Sequence, residues 1–393
     1  MSPDLNYDKS QGWTNRREKL LTWEQVTAWR LAQHSLTERR PRAEMLNVVS
    51  RVGALQAQVI SAAELQLWAR VEGITPDDVQ RALWEERTLV KTWALRGTLH
   101  LLTAEDFPLY IAALSTLKHF RRGSWLKYHG VTLEQIEAII EATRTTLGSS
   151  GMTREALADS IAMQIGAPEV ADLLRSGWGA LLKPAAFQGY LCFGPSEGQN
   201  VTFLQPSQWL GAWEAIDPDF ALQDVARRYL NAYGPATTDE FARWVGLEPA
   251  AAKRVFRALG DAITPVEVEG WKAWALAATL SQMETLEAPR NVRLLPLFDP
   301  YTIAIAPHSQ YLLPEVFKGR VYRPQGWISA VVLVGGHITG VWEYERKRDR
   351  VVVNVDLFAP VSDEVRSAIE AEAARLSTYF VSDVQVNYTQ EEN

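Results

Sequence analysis

Gln56 and Gln58 stand one alanine apart in "LQAQ", where the chain is otherwise turning to leucine, valine and alanine. A glutamine cannot exchange a proton near neutral pH, but its carbonyl accepts hydrogen bonds and its amide donates them. Two of them aimed at one point can fix a water molecule, which is catalysis by positioning rather than by acid or base. On an ideal helix, residues two apart point about 200° from each other and share no face. The pair converges only if the helix ends or distorts there, or if the segment is extended, and Gly53 just upstream permits either. Taken alone, the residues leave a plainer reading open, with one glutamine in solvent and the other bonded to backbone.

Other motifs are weaker. "GPSEG" at 194–198 fits the spacing of a nucleophile elbow around Ser196, but strand-like residues flank it on both sides, whereas that chemistry needs a helix after the serine. It reads as a hairpin turn, as does "GGHITG" at 335–340. The six histidines (34, 100, 119, 129, 308 and 337) lack metal-ligand spacing, and Cys192 is the sole cysteine, so no metal or other cofactor is expected. Asp77, Asp78, Asp217 and Asp219 adjoin Pro76 and Pro218 at helix starts, where they stabilise the helix dipole.

A chain of 393 residues exceeds one ordinary core and implies roughly two to four domains. Its 47% hydrophobic content and fifteen tryptophans exclude global disorder. No long apolar run or secretory h-region is present, and a lone cysteine suits a reducing compartment, so a soluble cytoplasmic protein is expected. The net charge of −7 is unevenly placed. Residues 107–133 contain no acid but include Lys118, Arg121, Arg122 and Lys127; residues 316–342 likewise hold Lys318, Arg320 and Arg323. "ERKRDR" adds Arg346, Lys347, Arg348 and Arg350. Each is a candidate solvated face; together they are candidate phosphate contacts.

The supporting elements follow a recurring order. In 220–276, three amphipathic helices precede two strands turning at Glu269–Gly270, the order of a winged helix. Residues 132–204 and 22–102 repeat it, the first copy carrying extra helix around Ala62 to Val71 and placing "GALQAQ" at the end of a helix. After 285 the chain turns strand-like and closes on one helix. The expected fold is α+β: a flexible tail (1–20), three winged-helix units (21–125, 126–212, 213–285) and a β-barrel-like domain with a packed helix (286–393).

"GALQAQ", with "LWAR" at 67–70, "RGTLHLL" at 96–102 and "LLPLFDPY" at 294–301, resembles the AlkZ/YcaQ-type DNA glycosylases from about Leu21 to the end. That resemblance implies three tandem winged-helix units and a C-terminal β-barrel around duplex DNA. It makes Gln56 and Gln58 the catalytic Gln-x-Gln motif of the AlkZ-like branch. It also implies excision of cationic alkylpurines such as N7-alkylguanine, by a monomer without cofactor. "IAIAPHSQYLL" after "FDPY" departs from the Gly-Tyr and Asp-Arg of many relatives, so contacts made there are not carried over. Arg96 and His100, on the first expected wing, become candidate phosphate or lesion contacts. The rival from another class is a non-enzymatic winged-helix regulator. Such proteins usually dimerise on a palindrome, and three unlike units in one chain suit a monomer better.

Overall fold

The computed structural model describes residues 19–175, 179–287 and 289–389. Most of the expected N-terminal tail, residues 1–18, lies outside the described residues, but Lys19–Leu21 is a strand paired in parallel with Ile263–Val268. The architecture is mixed α+β, with three small sheets and one curled five-stranded sheet among the described residues.

One order of elements recurs: helix, short extended segment, two or three further helical segments, then a hairpin whose second strand pairs with the short segment. It is plainest in Leu133–Thr146, Met152–Thr153 and Arg154–Ile165, followed by the hairpin Cys192–Glu197 and Asn200–Leu204. In the third copy the short segment shrinks to the bridge between Ala236 and Trp274, between the helices Pro218–Tyr233 and Thr238–Val245. Capping boxes on Thr132 and Thr237 start two of these helices, each hydroxyl accepting from the backbone N–H three residues on.

The first copy departs from the expected order. The helix holding "NVVS" spans Met45–Val52 and stops before the glutamines. Gly53 takes φ +88°, and a Cβ there would lie 2.6 Å from the Tyr110 hydroxyl, so glycine is required on two counts. The Tyr233 hydroxyl donates to Val52 O at 2.8 Å and closes the helix end. Leu55–Gln56 then pairs antiparallel with Leu99–Thr103, whose hairpin partner is Leu89–Trp93. Ile60–Trp68, expected from sequence as inserted helix, is the second helix of the repeat. The inserted element is instead Trp23–Gln33, which packs far along the chain. Trp29 Nε1 donates to Asn231 O at 2.9 Å, Arg30 donates to Pro235 O at 2.8 Å, and Trp23, Val26 and Trp29 share a core with Val266, Val268 and Met283.

The C-terminal sheet runs in the order Val292–Leu295, Val331–Val334, His337–Arg346, Arg350–Leu357 and Asp383–Tyr388. Two local expectations fail here. "DPYTIAI" is helical over Pro300–Ile305, because Asp299 caps it through the Tyr301 N–H (2.9 Å) and Pro300 occupies its first position. The helix Asp363–Ala374 does not close the chain either: Asp383–Tyr388 adds a parallel edge strand in which exposed and half-buried residues alternate.

Candidate active site

Gln56 ends the short strand Leu55–Gln56, and Gln58 follows two residues later in a bend just before the helix Ile60–Trp68. Leu55 and Ala57 are fully buried; Gln56 is half-buried and Gln58 exposed. The sequence alone cannot choose among a helix end, a distorted helix and an extended segment; here the helix has ended at Val52, Gln56 lies on a short strand and Gln58 in the bend that follows it.

Three anchors hold this segment. Gln56 stands opposite His100 in register, Ala57 N donates to Leu99 O at 2.7 Å, and the buried Gln66 amide donates to Gln56 O at 3.1 Å. Gln66 also reaches Phe298 O at 3.4 Å. One helical turn later, Arg70 Nη1 donates to Gln66 O at 2.9 Å and grips Asp299 with both guanidinium ends, at 2.7 and 2.8 Å. Both partners of that pair are fully buried. "LQAQ", "LWAR" and "FDPY", far apart in sequence, thus form one network. Sequence reasoning misses Gln66, although a glutamine inside the apolar run "AAELQLWA" is a visible signal.

His100 corrects an expectation. It is 1% exposed, which leaves no room for a phosphate or lesion contact. Burial, followed by the charge of Arg96, lowers its pKa to about 3, so its ring is neutral at ordinary pH. Nδ1–H donates to Thr98 O at 2.9 Å, since a carbonyl can only accept. Arg96, at the hairpin turn with φ +56°, is only half-exposed and donates to Trp244 O at 3.0 Å; this ties the turn to the helix Thr238–Val245. Glu64, the nearest downstream carboxylate, is buried and accepts from Gln80 Nε2 at 2.7 Å; burial pushes its pKa up.

Beside the motif lies a cavity of about 660 Å³, lined by Val59, Ser61, Arg320, Arg323, Trp327 and Tyr344 among others. It brings one basic window to the start of the helix that follows Gln58. The basic residues differ in freedom. Arg121 pairs with Glu137 at 2.9 Å, Arg122 with Glu248, Arg320 with Asp356, Lys318 with Glu315 at 3.2 Å and Lys347 with Glu345 at 3.6 Å. Arg346 lies over the Phe380 ring at 5.2 Å. Lys118, Lys127, Arg323 and Arg348 are exposed. Ser196 lies exposed near the tip of a hairpin with no helix after it. Among the described residues no group of three His, Cys, Asp or Glu side chains could hold a metal, and no helix is long and apolar enough to cross a membrane.

The family model for DNA glycosylase AlkZ-like proteins matches residues 49–379. The chain is 34% identical over 365 residues to an interstrand DNA cross-link repair glycosylase of Streptomyces sahachiroi, covering 91% of this chain and 96% of that protein. Its fold superposes on the solved structure of Streptomyces sahachiroi DNA glycosylase AlkZ with a TM-score of 0.85 at 33% identity, over 94% of this chain and all of that one.

Proposed function

The chain belongs to the AlkZ-like DNA glycosylase family, and from that premise we propose that it hydrolyses the N-glycosidic bond of cationic alkylated purines in duplex DNA. N7-alkylguanine and N3-alkyladenine are its substrates, and N7-linked interstrand crosslinks fall in the same chemical class. The observation that supports this reading is Gln56 held on a strand by its register with His100 and by Gln66, with the exposed Gln58 two residues on. Their amides orient one water toward C1′. Its oxygen forms the new bond to C1′ as the C1′–N9 bond of an N7-alkylguanine breaks, and the water's proton passes to solvent. The bonding pair neutralises the cationic base, which departs without added proton. Glu64, engaged by Gln80, is not needed as an acid.

The enzyme is monofunctional: Lys91, which the sheet brings two strands from the motif, is in register with Leu101 and Leu55 and so points to the face away from Gln56, where it supplies no amine nucleophile. The repeated helical segments and hairpins are three winged-helix units around DNA, and a monomer suffices. A regulator that only binds DNA would have no use for a glutamine motif whose first member is anchored from two neighbouring elements. The test is a duplex with one N7-methylguanine, incubated under single-turnover conditions and then cleaved with alkali at abasic sites. Excision of N7-methylguanine but not of uracil is expected. Equal rates on both lesions, or none on either, would overturn the reading.

A further inference from the structure

A second cavity of about 660 Å³ opens at the Arg96–Gly97 turn, away from the one beside Val59. Its titratable lining is entirely basic or aromatic: Arg96, His119, Tyr128, His129 and Lys183, with Trp125 between them. Tyr128 is 84% exposed, far more than a tyrosine needs for its hydroxyl alone. Trp125 and His129 pack at 4.2 Å between ring centroids, and Tyr128 meets the His129 ring edge-on at 4.9 Å, giving an aromatic wall. Lys183 is half-buried against Gly97, and desolvation lowers its pKa. No carboxylate pairs with it among the described residues. The nearby Glu248, whose charge reaches His119, is engaged by Arg122. A desolvated ammonium without a carboxylate partner among the described residues, beside the exposed Tyr128 ring and the half-buried Trp125, fits a ligand with one phosphate and one flat base. The volume lies within the roughly 300–1,000 Å³ of small-ligand sites.

We propose that this cavity holds a nucleotide displaced from the stack of the bound DNA, its base against Tyr128 and Trp125 and its phosphate at Lys183. The inference rests on the DNA-directed reading above and adds a second nucleotide site to it. The strand that leaves the Arg96–Gly97 turn carries His100, opposite Gln56. Three residues of strand span roughly 10 Å, about three base steps of duplex rise. The occupant is therefore a nucleotide near the lesion. A base unstacked by damage or by a crosslink partner would be held there, which favours distorted duplexes over intact ones.

The test compares two duplexes, one fully paired and one carrying a single unpaired 2-aminopurine, by equilibrium binding and by 2-aminopurine fluorescence. Stacking on an aromatic side chain contributes about 1–3 kcal/mol per base, so the wild type should prefer the unpaired duplex by about tenfold and quench its fluorescence. Tyr128→Ala, at an exposed position, should abolish the quench and most of the preference, and Lys183→Gln should reduce the preference. Gln56→Ala should keep both while losing excision. That separates the two readings: preference without excision in the wild type defeats only the glycosylase assignment. Excision without preference, or preference that survives both Tyr128→Ala and Lys183→Gln, defeats the nucleotide site.

Discussion

Two neutral amides can lower a barrier only by holding a water where it attacks, so each should matter on its own. Gln56→Ala and Gln58→Ala are expected to slow single-turnover excision of N7-methylguanine at least tenfold, on the order of 1.4 kcal/mol of barrier. Neither side chain fills the core, so thermal melts should stay near wild type; a folded variant excising at the wild-type rate would remove that residue from the mechanism. The same chemistry fixes the pH response. Amides do not titrate, and His100, with its pKa lowered to about 3, stays neutral above about pH 4. The single-turnover rate at saturating enzyme should therefore be flat between pH 5.5 and 8.5. A rise or fall of one log unit per pH unit in that window would expose an acid or base that this site lacks. At this scale the sequence is most legible for the motif itself and least for what supports it. A glutamine pair stands out by composition, whereas Gln66, Arg70 and Asp299 meet only after folding. The sequence misleads at His100 because burial on a central strand of a small sheet does not show in a motif.

Elements place the motif, and one buried ion pair joins the elements. Arg70 ends the turn after the helix Ile60–Trp68, and Asp299 caps the helix Pro300–Ile305, so their contact fixes "LQAQ" relative to the C-terminal sheet. Removing one member of a buried, bidentate pair strands the other charge, which typically costs about 3–5 kcal/mol. Arg70→Met is expected to lose stability of that order in urea titrations and to lower excision even where the protein remains folded, since Gln66 loses its anchor. Asp299→Asn, which keeps the helix cap but removes the charge, should destabilise similarly. If both variants melted and excised like the wild type, the network would be incidental to the site. Helices and hairpins with capping boxes or a Glu-Gly turn are readable because their signals are local. Sequence reasoning exchanges the places of Ile60–Trp68 and Trp23–Gln33, the inserted helix and the helix of the first repeat, because both are helical by pattern. Only the partner surface decides their place, and for Trp23–Gln33 it lies some two hundred residues away.

The whole molecule carries a net charge of −7, yet residues 107–133 and 316–342 hold cations and no acid. Binding to duplex DNA releases about 0.9 counterion per neutralised phosphate, so the slope of log affinity against log salt counts the cations used. The sequence marks the windows around 118–127 and 318–323 but cannot say which members are already engaged. Arg121 and Arg122 have carboxylate partners in Glu137 and Glu248, whereas Lys118 and Lys127 are exposed and make no ion pair among the described residues. A paired arginine must give up its carboxylate to take a phosphate, and an unpaired lysine gives up nothing but water and counterions. Replacing Lys118 and Lys127 together by alanine is therefore expected to flatten the salt slope by about 1.8, at about 0.9 for each phosphate that goes unneutralised. Replacing Arg121 and Arg122 should flatten it less, because their charge is already spent on carboxylates. Fluorescence anisotropy on an undamaged duplex from 50 to 200 mM salt measures both. Equal slopes for wild type and the lysine pair would place the backbone path on the other basic window, with Arg323 and the hairpin tip at Arg348, and the same measurement on those two residues would then locate it.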